Sequence, residues 1–370
     1  MGIPSNKVEH LYVHVPFCAA KCSYCAFYSE EGSAAKMEGY VNAVVRELAG
    51  FAPQLAPRTI FFGGGTPSLL PAPLMRRMLE AVGTACAASQ PSEWTVECNP
   101  STVSSGKAKL FREFGVNRIS MGVQSLDDGL LKKLGRIHSV SAAIGSYEKL
   151  RAAGFDNINL DLMFGLPGQT MDHWRGTLRK ALELQPEHVS TYCLILEEDT
   201  PYWSLLQKGL IKPDEEQELA MYQMAIETLA AAGYRQYEIS NFAKAGRECA
   251  HNIAYWEGRD YIGLGPSACS TVGNRRWQNM PDTDRYVEGV RSQKPVVSYE
   301  EAMTPELRAA ERAAFGMRMN AGVPAELVRG RWDKEIAELL SAELVQWRNG
   351  RLTPTARGIL FADEVAAQFV

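Results

Sequence analysis

Cysteine is scarce in this chain, at eight of 370 residues, which excludes a disulfide scaffold of the kind that staples short secreted domains. No uninterrupted apolar run approaches the length of a membrane span, so an integral membrane protein is not expected. An excess of one charge sign is also missing. Lys plus Arg number 39 against 43 Asp plus Glu, a formal net charge of −4, and that balance gives no electrostatic reason to expect nucleic acid as a partner. Residues 1–10 lack the charged-then-apolar pattern of a secretory signal. They also miss the myristoylation pattern, since Asn6 stands where Ser or Thr is required. Cytoplasm is the expected location. What is present is a hydrophobic content of 46% with 22% charged residues, ordinary for a globular protein. The length suits one large domain and a smaller one.

Short apolar, β-branched runs recur along the first half: Leu11–Val15, Thr59–Phe62, Trp94–Glu97, Arg118–Val123, Asn157–Phe164 and Val189–Leu196. Amphipathic stretches separate them: Met37–Leu48, Leu74–Val82, Lys107–Glu113, Ala142–Ala153 and Met171–Leu184. This alternation predicts an α/β fold with a parallel sheet, a partial (β/α)6 barrel over residues 1–200. Several of the strands run into Gly or polar residues, as in Gly63-Gly64-Gly65-Thr66-Pro67 and Glu97-Cys98-Asn99-Pro100. Loops at strand carboxyl ends converge on one mouth, where ligands of such sheets bind.

The pattern changes after Pro201. Residues 201–300 read as an α+β extension: a helix over Glu215–Ala232 closed by Gly233, then an extended candidate over Tyr234–Phe242. Tyr261–Asn274 is free of charge and rich in Gly and Ser, the composition of backbone packed close to a neighbour. Residues 301–370 are helical, then carry a short hairpin around Asn349-Gly350 and a last helix, which suggests a small winged-helix-like domain. Its 9 basic and 10 acidic residues make a lid or packing role the better expectation than DNA binding.

The cysteines are unevenly placed. Cys86, Cys98, Cys193, Cys249 and Cys269 are scattered and read as small core residues. Cys18, Cys22 and Cys25 fall within eight residues, directly after the first strand. Thiolates are the soft ligands that iron–sulfur clusters require. Three of them hold three irons of a four-iron cubane and leave the fourth iron open for a small chelating molecule. The alternative is a structural zinc site, for which His14 is the nearest fourth ligand, although it sits on the strand. A zinc-stabilised interaction module is the non-enzymatic reading that follows from it.

This CxxxCxxC spacing resembles the signature of the radical S-adenosylmethionine (SAM) superfamily. That resemblance implies a 4Fe-4S cluster whose open iron binds SAM, and one-electron cleavage of SAM to a 5′-deoxyadenosyl radical. It places Tyr24 near the adenine and Gly64-Gly65-Thr66 at the SAM amino group. Further motifs resemble the coproporphyrinogen III oxidase-like branch: Tyr12 to Cys18, Arg118 to Ser125, Leu134-Gly135-Arg136, and Asn159 to Gly168. In that branch, residues matching Tyr12, Gly64, Gly65, Thr66, Glu97, Gln124, Arg136 and Asp161 contact SAM. The branch divides into oxidases and HemW-type heme chaperones. The oxidases carry a fourth Cys where this chain has Phe27, and a longer segment ahead of the cluster. His251-Asn252-Ile253-Ala254-Tyr255-Trp256 matches the HNxxYW motif of the chaperones. Imidazole is a usual axial ligand of heme iron, and Tyr and Trp offer flat apolar surface. The other reading of His251 is a core histidine packed under aromatics, and Cys249 is a lesser heme candidate.

The resemblance therefore implies heme as a bound cofactor at His251, passed to a membrane-associated acceptor protein, and an electron donor for the cluster. The alternatives are radical SAM oxidative decarboxylation of coproporphyrinogen, with Phe27 weighing against it, and a radical SAM methyltransferase.

Overall fold

The computed structural model describes residues 7–370; the reading of Asn6 and its neighbours lies outside the described residues. Six parallel strands follow the expected positions: β1 (Val8–Val15), β2 (Leu55–Gly64), β3 (Glu93–Cys98), β4 (Arg118–Gln124), β5 (Ile158–Phe164) and β6 (His188–Cys193). They lie side by side in chain order, as right-handed crossovers through intervening helices require. Outward-facing residues such as Leu11, Val13, Ile60, Phe62, Ile119 and Leu160 are buried against those helices in one continuous core. The alternate residues point inward, and they are polar: His10, Thr59, Glu93, Thr95, Arg118, Asn159 and His188 are all buried.

Residues 201–300 complete the wall of the barrel. Antiparallel β7 (Arg235–Gln236) and β8 (Asn241–Ala243) extend the sheet beyond β6. Parallel β9 (Ile262–Leu264) closes on β1 at the other edge, giving a nine-stranded sheet in the order β7-β8-β6-β5-β4-β3-β2-β1-β9. The charge-free Gly/Ser segment opens with this seventh parallel strand. A side chain on Gly263 would meet the Cys269 carbonyl at 2.1 Å, and one on Gly265 the His14 carbonyl at 2.6 Å. Glu47, on the helix Ala34–Phe51, ties the segment down by accepting hydrogen bonds from Gly265 N at 2.9 Å, Asn279 Nδ2 at 2.8 Å and Tyr286 Oη at 2.6 Å.

A second antiparallel sheet holds β10 (Cys269–Val272), β11 (Arg275–Asn279) and β12 (Val297–Ala302). The C-terminal segment has its own apolar core, which includes Val323, Ile336, Leu352 and Phe369. There the helices Pro305–Gly316 and Asp333–Ser341 pack on β13 (Val323–Pro324), β14 (Val345–Arg348) and β15 (Arg351–Pro354), the winged-helix-like order expected. Among the described residues no helix is long and apolar enough to cross a membrane.

Candidate functional site

The cysteine loop leaves β1 through Pro16 and Phe17, and backbone bonds hold it from several sides. Cys18 N donates to Glu30 O at 3.0 Å, Ser23 N to Leu134 O at 3.3 Å, and Tyr202 N to Ser23 O at 3.0 Å. Phe17 is fully buried edge-on against Tyr40. All three cysteines are half-buried and free, and all line one cavity of about 480 Å³ at the carboxyl ends of the strands.

The glycine segment after β2 forms the facing wall. Gly65 N donates to Val15 O at 2.8 Å and Thr66 N to Phe17 O at 2.7 Å, so this turn is laced to the root of the cysteine loop. A side chain on Gly65 would lie 2.8 Å from both the Val15 and Phe17 carbonyls. Gly64, at φ +101°, would collide with the His14 ring. Glycine is required at both positions, and it leaves bare backbone facing the cavity. Thr66 Oγ1 lies 3.6 Å from Cys18 Sγ.

Two carboxylates point into the mouth. Glu97 accepts from Gly64 N at 3.2 Å; burial, reinforced by the charge of Asp161, pushes its carboxyl up to about 8. Burial also raises Asp161, against the pull of its hydrogen bonds from Asn159 Nδ2 at 2.7 Å and Ser120 Oγ at 3.1 Å. Gln124 ends β4 at φ +65°, beyond a register shift against β5. Left-handed backbone at a non-glycine residue is a strained feature that clusters at functional sites. Arg136 Nη1 lies 3.5 Å from Cys22 Sγ, and its Nε is buried with no partner among the described residues.

Tyr24, Gly64, Gly65, Thr66, Glu97, Gln124, Arg136 and Asp161 therefore share one cavity with the three cysteines. Tyr12 does not line it. It sits deeper in the barrel, its hydroxyl 3.0 Å from His14 Nδ1 and its ring against Phe61. His14 also spends its Nε2 on the Tyr28 carbonyl at 3.0 Å, which leaves it no lone pair for zinc. Among the described residues no three His, Cys, Asp or Glu side chains close around a single metal-ion position. A cubane meets each thiolate on a different iron, so its ligands stand apart.

Of the scattered cysteines, Cys86, Cys98 and Cys249 are buried as the core reading expects, and two depart from it. Cys193 and Cys269 are only half-buried, and Cys98 and Cys193 both line the mouth. They end β3 and β6, and that strand-end position was the available signal. The rim is apolar: Phe27 is 70% exposed, and Ile137, Tyr192 and Ile195 are exposed beside it.

His251 lies at the other end of the barrel. It belongs to the helix Ala250–Trp256, here called the floor helix, which plugs the opening at the strands' amino ends. Glu93, at the start of β3, accepts from Ala250 N at 2.8 Å and His251 N at 3.0 Å, with Cys249 Sγ 3.5 Å away. The His251 ring stacks on Phe61 at 5.1 Å and is 6% exposed, and burial lowers its pKa to about 3. Cys249 is fully buried. Tyr255 faces outward, 43% exposed, and bonds Tyr261 Oη at 3.0 Å. Trp256 packs against Phe315 and under Arg318. The motif's rings therefore do not form one flat surface.

A parallel partial barrel that presents three thiols on the loop after its first strand defines a radical SAM protein, and the model of the radical SAM superfamily matches residues 12–181. The heme chaperone HemW of Bacillus subtilis (strain 168) is 35% identical over 376 residues, covering 98% of this chain and 99% of that protein. HemW of Escherichia coli (strain K12) is 40% identical over 266 residues, 71% of this chain and 70% of its own length. The solved structure of coproporphyrinogen III oxidase (HemN) from Escherichia coli matches with a TM-score of 0.84 at 24% identity, covering 98% of this chain and 90% of that one, a likeness of fold. The chain belongs to the HemW heme-chaperone family. Its superfamily implies a 4Fe-4S cluster and SAM, and the free thiols, the bare glycine turn and the unpartnered Arg136 Nε fit both groups.

Proposed function

We propose that this chain binds heme and hands it to an acceptor protein, with SAM and the cluster at the mouth and heme at the floor beside the HNxxYW segment. The supporting observation is kinship with a named heme chaperone across 98% of the chain. The proposed acceptor is a membrane-associated respiratory protein, and the proposed location is the cytoplasm, with an electron donor serving the cluster. The proposed functional division is a cofactor barrel over residues 1–200, a floor-forming segment over 201–300 and a C-terminal module over 301–370.

Cys18, Cys22 and Cys25 would hold the cluster, and the Arg136 guanidinium beside Cys22 would offset its negative charge. When bound, the cluster and SAM supply one-electron chemistry. Glu97 keeps its proton near neutrality until a cation arrives, then releases it and pairs with that cation. Gly64 and Gly65 leave room for the ligand's backbone-like groups, and Tyr24 offers a ring face. The absence of a fourth thiol where Phe27 projects favours carriage of heme over oxidative decarboxylation.

Anaerobic purification with a metal and cofactor inventory, followed by spectrophotometric heme titration, tests the reading. One equivalent of heme is expected, with weaker binding in His251→Ala. Equal affinity would remove His251 from the site. Decarboxylation of coproporphyrinogen under reducing conditions with SAM would restore the oxidase reading.

A further inference from the structure

Polar side chains inside the barrel join its two ends. Asp161 lines the mouth. Asn159 Nδ2 donates to the Asp161 carboxylate at 2.7 Å and to Ser120 Oγ at 2.8 Å. Both amide hydrogens are thereby spent, and Asn159 Oδ1 faces the other way, 2.7 Å from His188 Nδ1 and 3.1 Å from Ser190 Oγ. An amide oxygen only accepts, so His188 carries its proton on Nδ1. Burial, helped by the Arg118 charge, holds the His188 pKa well below its usual value, so the ring is neutral and its Nε2 is a lone pair. Tyr237 Oη, 2.9 Å from that nitrogen, therefore donates to it. The phenol oxygen is left to accept from Cys249 N at 3.3 Å, directly ahead of the floor helix.

Four hydrogen bonds thus run in series from the floor helix to the mouth, and every donor points the same way: Cys249 to Tyr237, Tyr237 to His188, His188 to Asn159, Asn159 to Asp161. Asn159 and His188 are buried out of reach of water. Aligned bonds in such surroundings polarise one another, and each strengthens the next. Neither His188 nor Tyr237 lines the mouth.

We propose that this line couples the two ends of the barrel, so that a ligand held at Asp161 tightens the floor helix and raises its affinity for heme, with His188 and Tyr237 as positioning residues. The inference rests on the SAM and heme readings above and adds the link between them. Burial disfavours the charged form of Asp161, and a cation seated beside it restores that form, the stronger acceptor. The pull passes along the line to Cys249 N. Glu93 holds the next two amides, Ala250 N and His251 N, so the ordered turn carries His251 with it.

Heme titration of the cluster-loaded chain with and without SAM, and the reverse titration, test the coupling. SAM should tighten heme binding about fivefold or more, and heme should tighten SAM binding by the same factor, since such couplings are reciprocal. Tyr237→Phe deletes the central hydroxyl and should bring the factor to about one while each separate affinity stays close to wild type. His188→Leu should do the same. Tyr222→Phe deletes a hydroxyl that bonds the nearby Ile239 carbonyl off the line, and should keep the wild-type factor. Amide hydrogen exchange at Cys249 gives a readout without heme: SAM should slow it in the wild type and not in Tyr237→Phe. A wild-type factor of one with unaltered Cys249 exchange, or a factor that survives in both line variants, would overturn the coupling and leave the heme reading standing. No heme uptake, with Cys249 exchange still slowed by SAM, would sink the heme reading and leave the line in place.

Discussion

The mouth and the floor of this barrel are built from the same six parallel strands, yet they are opposite in character. At the mouth the inward residues end in bare glycine backbone, a left-handed Gln124, two buried carboxylates and an unpartnered Arg136 Nε. At the floor most polar groups find protein partners, apart from the buried Arg118 Nε at the start of β4. Glu93 is spent on the floor helix, His188 bridges Asn159 Oδ1 at 2.7 Å and Tyr237 Oη at 2.9 Å, and Thr59 joins two histidines. Groups left unsatisfied cost stability and persist where a ligand uses them. The floor is therefore a closed partition, and the mouth is a prepared seat.

The difference can be broken from either side. The largest effect expected is from Cys18→Ser, Cys22→Ser or Cys25→Ser. Each should cut iron from about four per chain to near zero after anaerobic reconstitution, while heme titration at the floor is unchanged. A parallel loss of heme binding would show that the two ends are one site. Glu93→Ala leaves two backbone N–H donors of the floor helix without their carboxylate acceptor and should destabilise the fold by about 2–3 kcal/mol in denaturant unfolding, with SAM affinity retained.

Gly65→Ala acts on the other side. Its methyl meets two carbonyls at 2.8 Å, so SAM affinity should fall and stability drop by about 1–3 kcal/mol. The two ends also differ in pH response. Glu97 is raised from its usual 4.5 to about 8, so its contribution is full below pH 4.5 and is lost as pH rises through 8. His251 is lowered from 6.5 to about 3, so its contribution is present above pH 6.5 and is lost as pH falls toward 3. Unfolding of Glu97→Gln without SAM should therefore show a stability slope flatter by about one proton between pH 5 and 7. An unchanged slope would place the raised carboxyl elsewhere. Smallest is Tyr255→Phe, which removes one exposed hydroxyl bond and should cost about 0.5–1 kcal/mol.

Much of the mouth was readable in the chain because its parts are local. Three thiols within eight residues, a glycine turn and strand-end Glu97 and Gln124 each follow or close an apolar run, and parallel topology gathers such ends in one place, with Asp161 reaching the same cavity from the middle of β5. Tyr12 lies outside the group because the alternation of β1 places it deeper, beside Phe61. The floor was far less readable. The extended candidate Tyr234–Phe242 breaks into β7 and β8, with Tyr237 and Glu238 turned toward buried partners. A three-residue strand such as β9 carries no periodicity at all.

Taken alone, the residue order determined the six alternating units, the three-cysteine loop and the glycine turn, because period and spacing are properties of neighbours along a chain. Only the tertiary structure decided that β9 closes on β1, that Glu93 seats the floor helix, and that His10, Thr59 and His251 form one hydrogen-bonded line. His10 and His251 are far apart in the sequence, and only the closing of the barrel brings their rings to 6.2 Å.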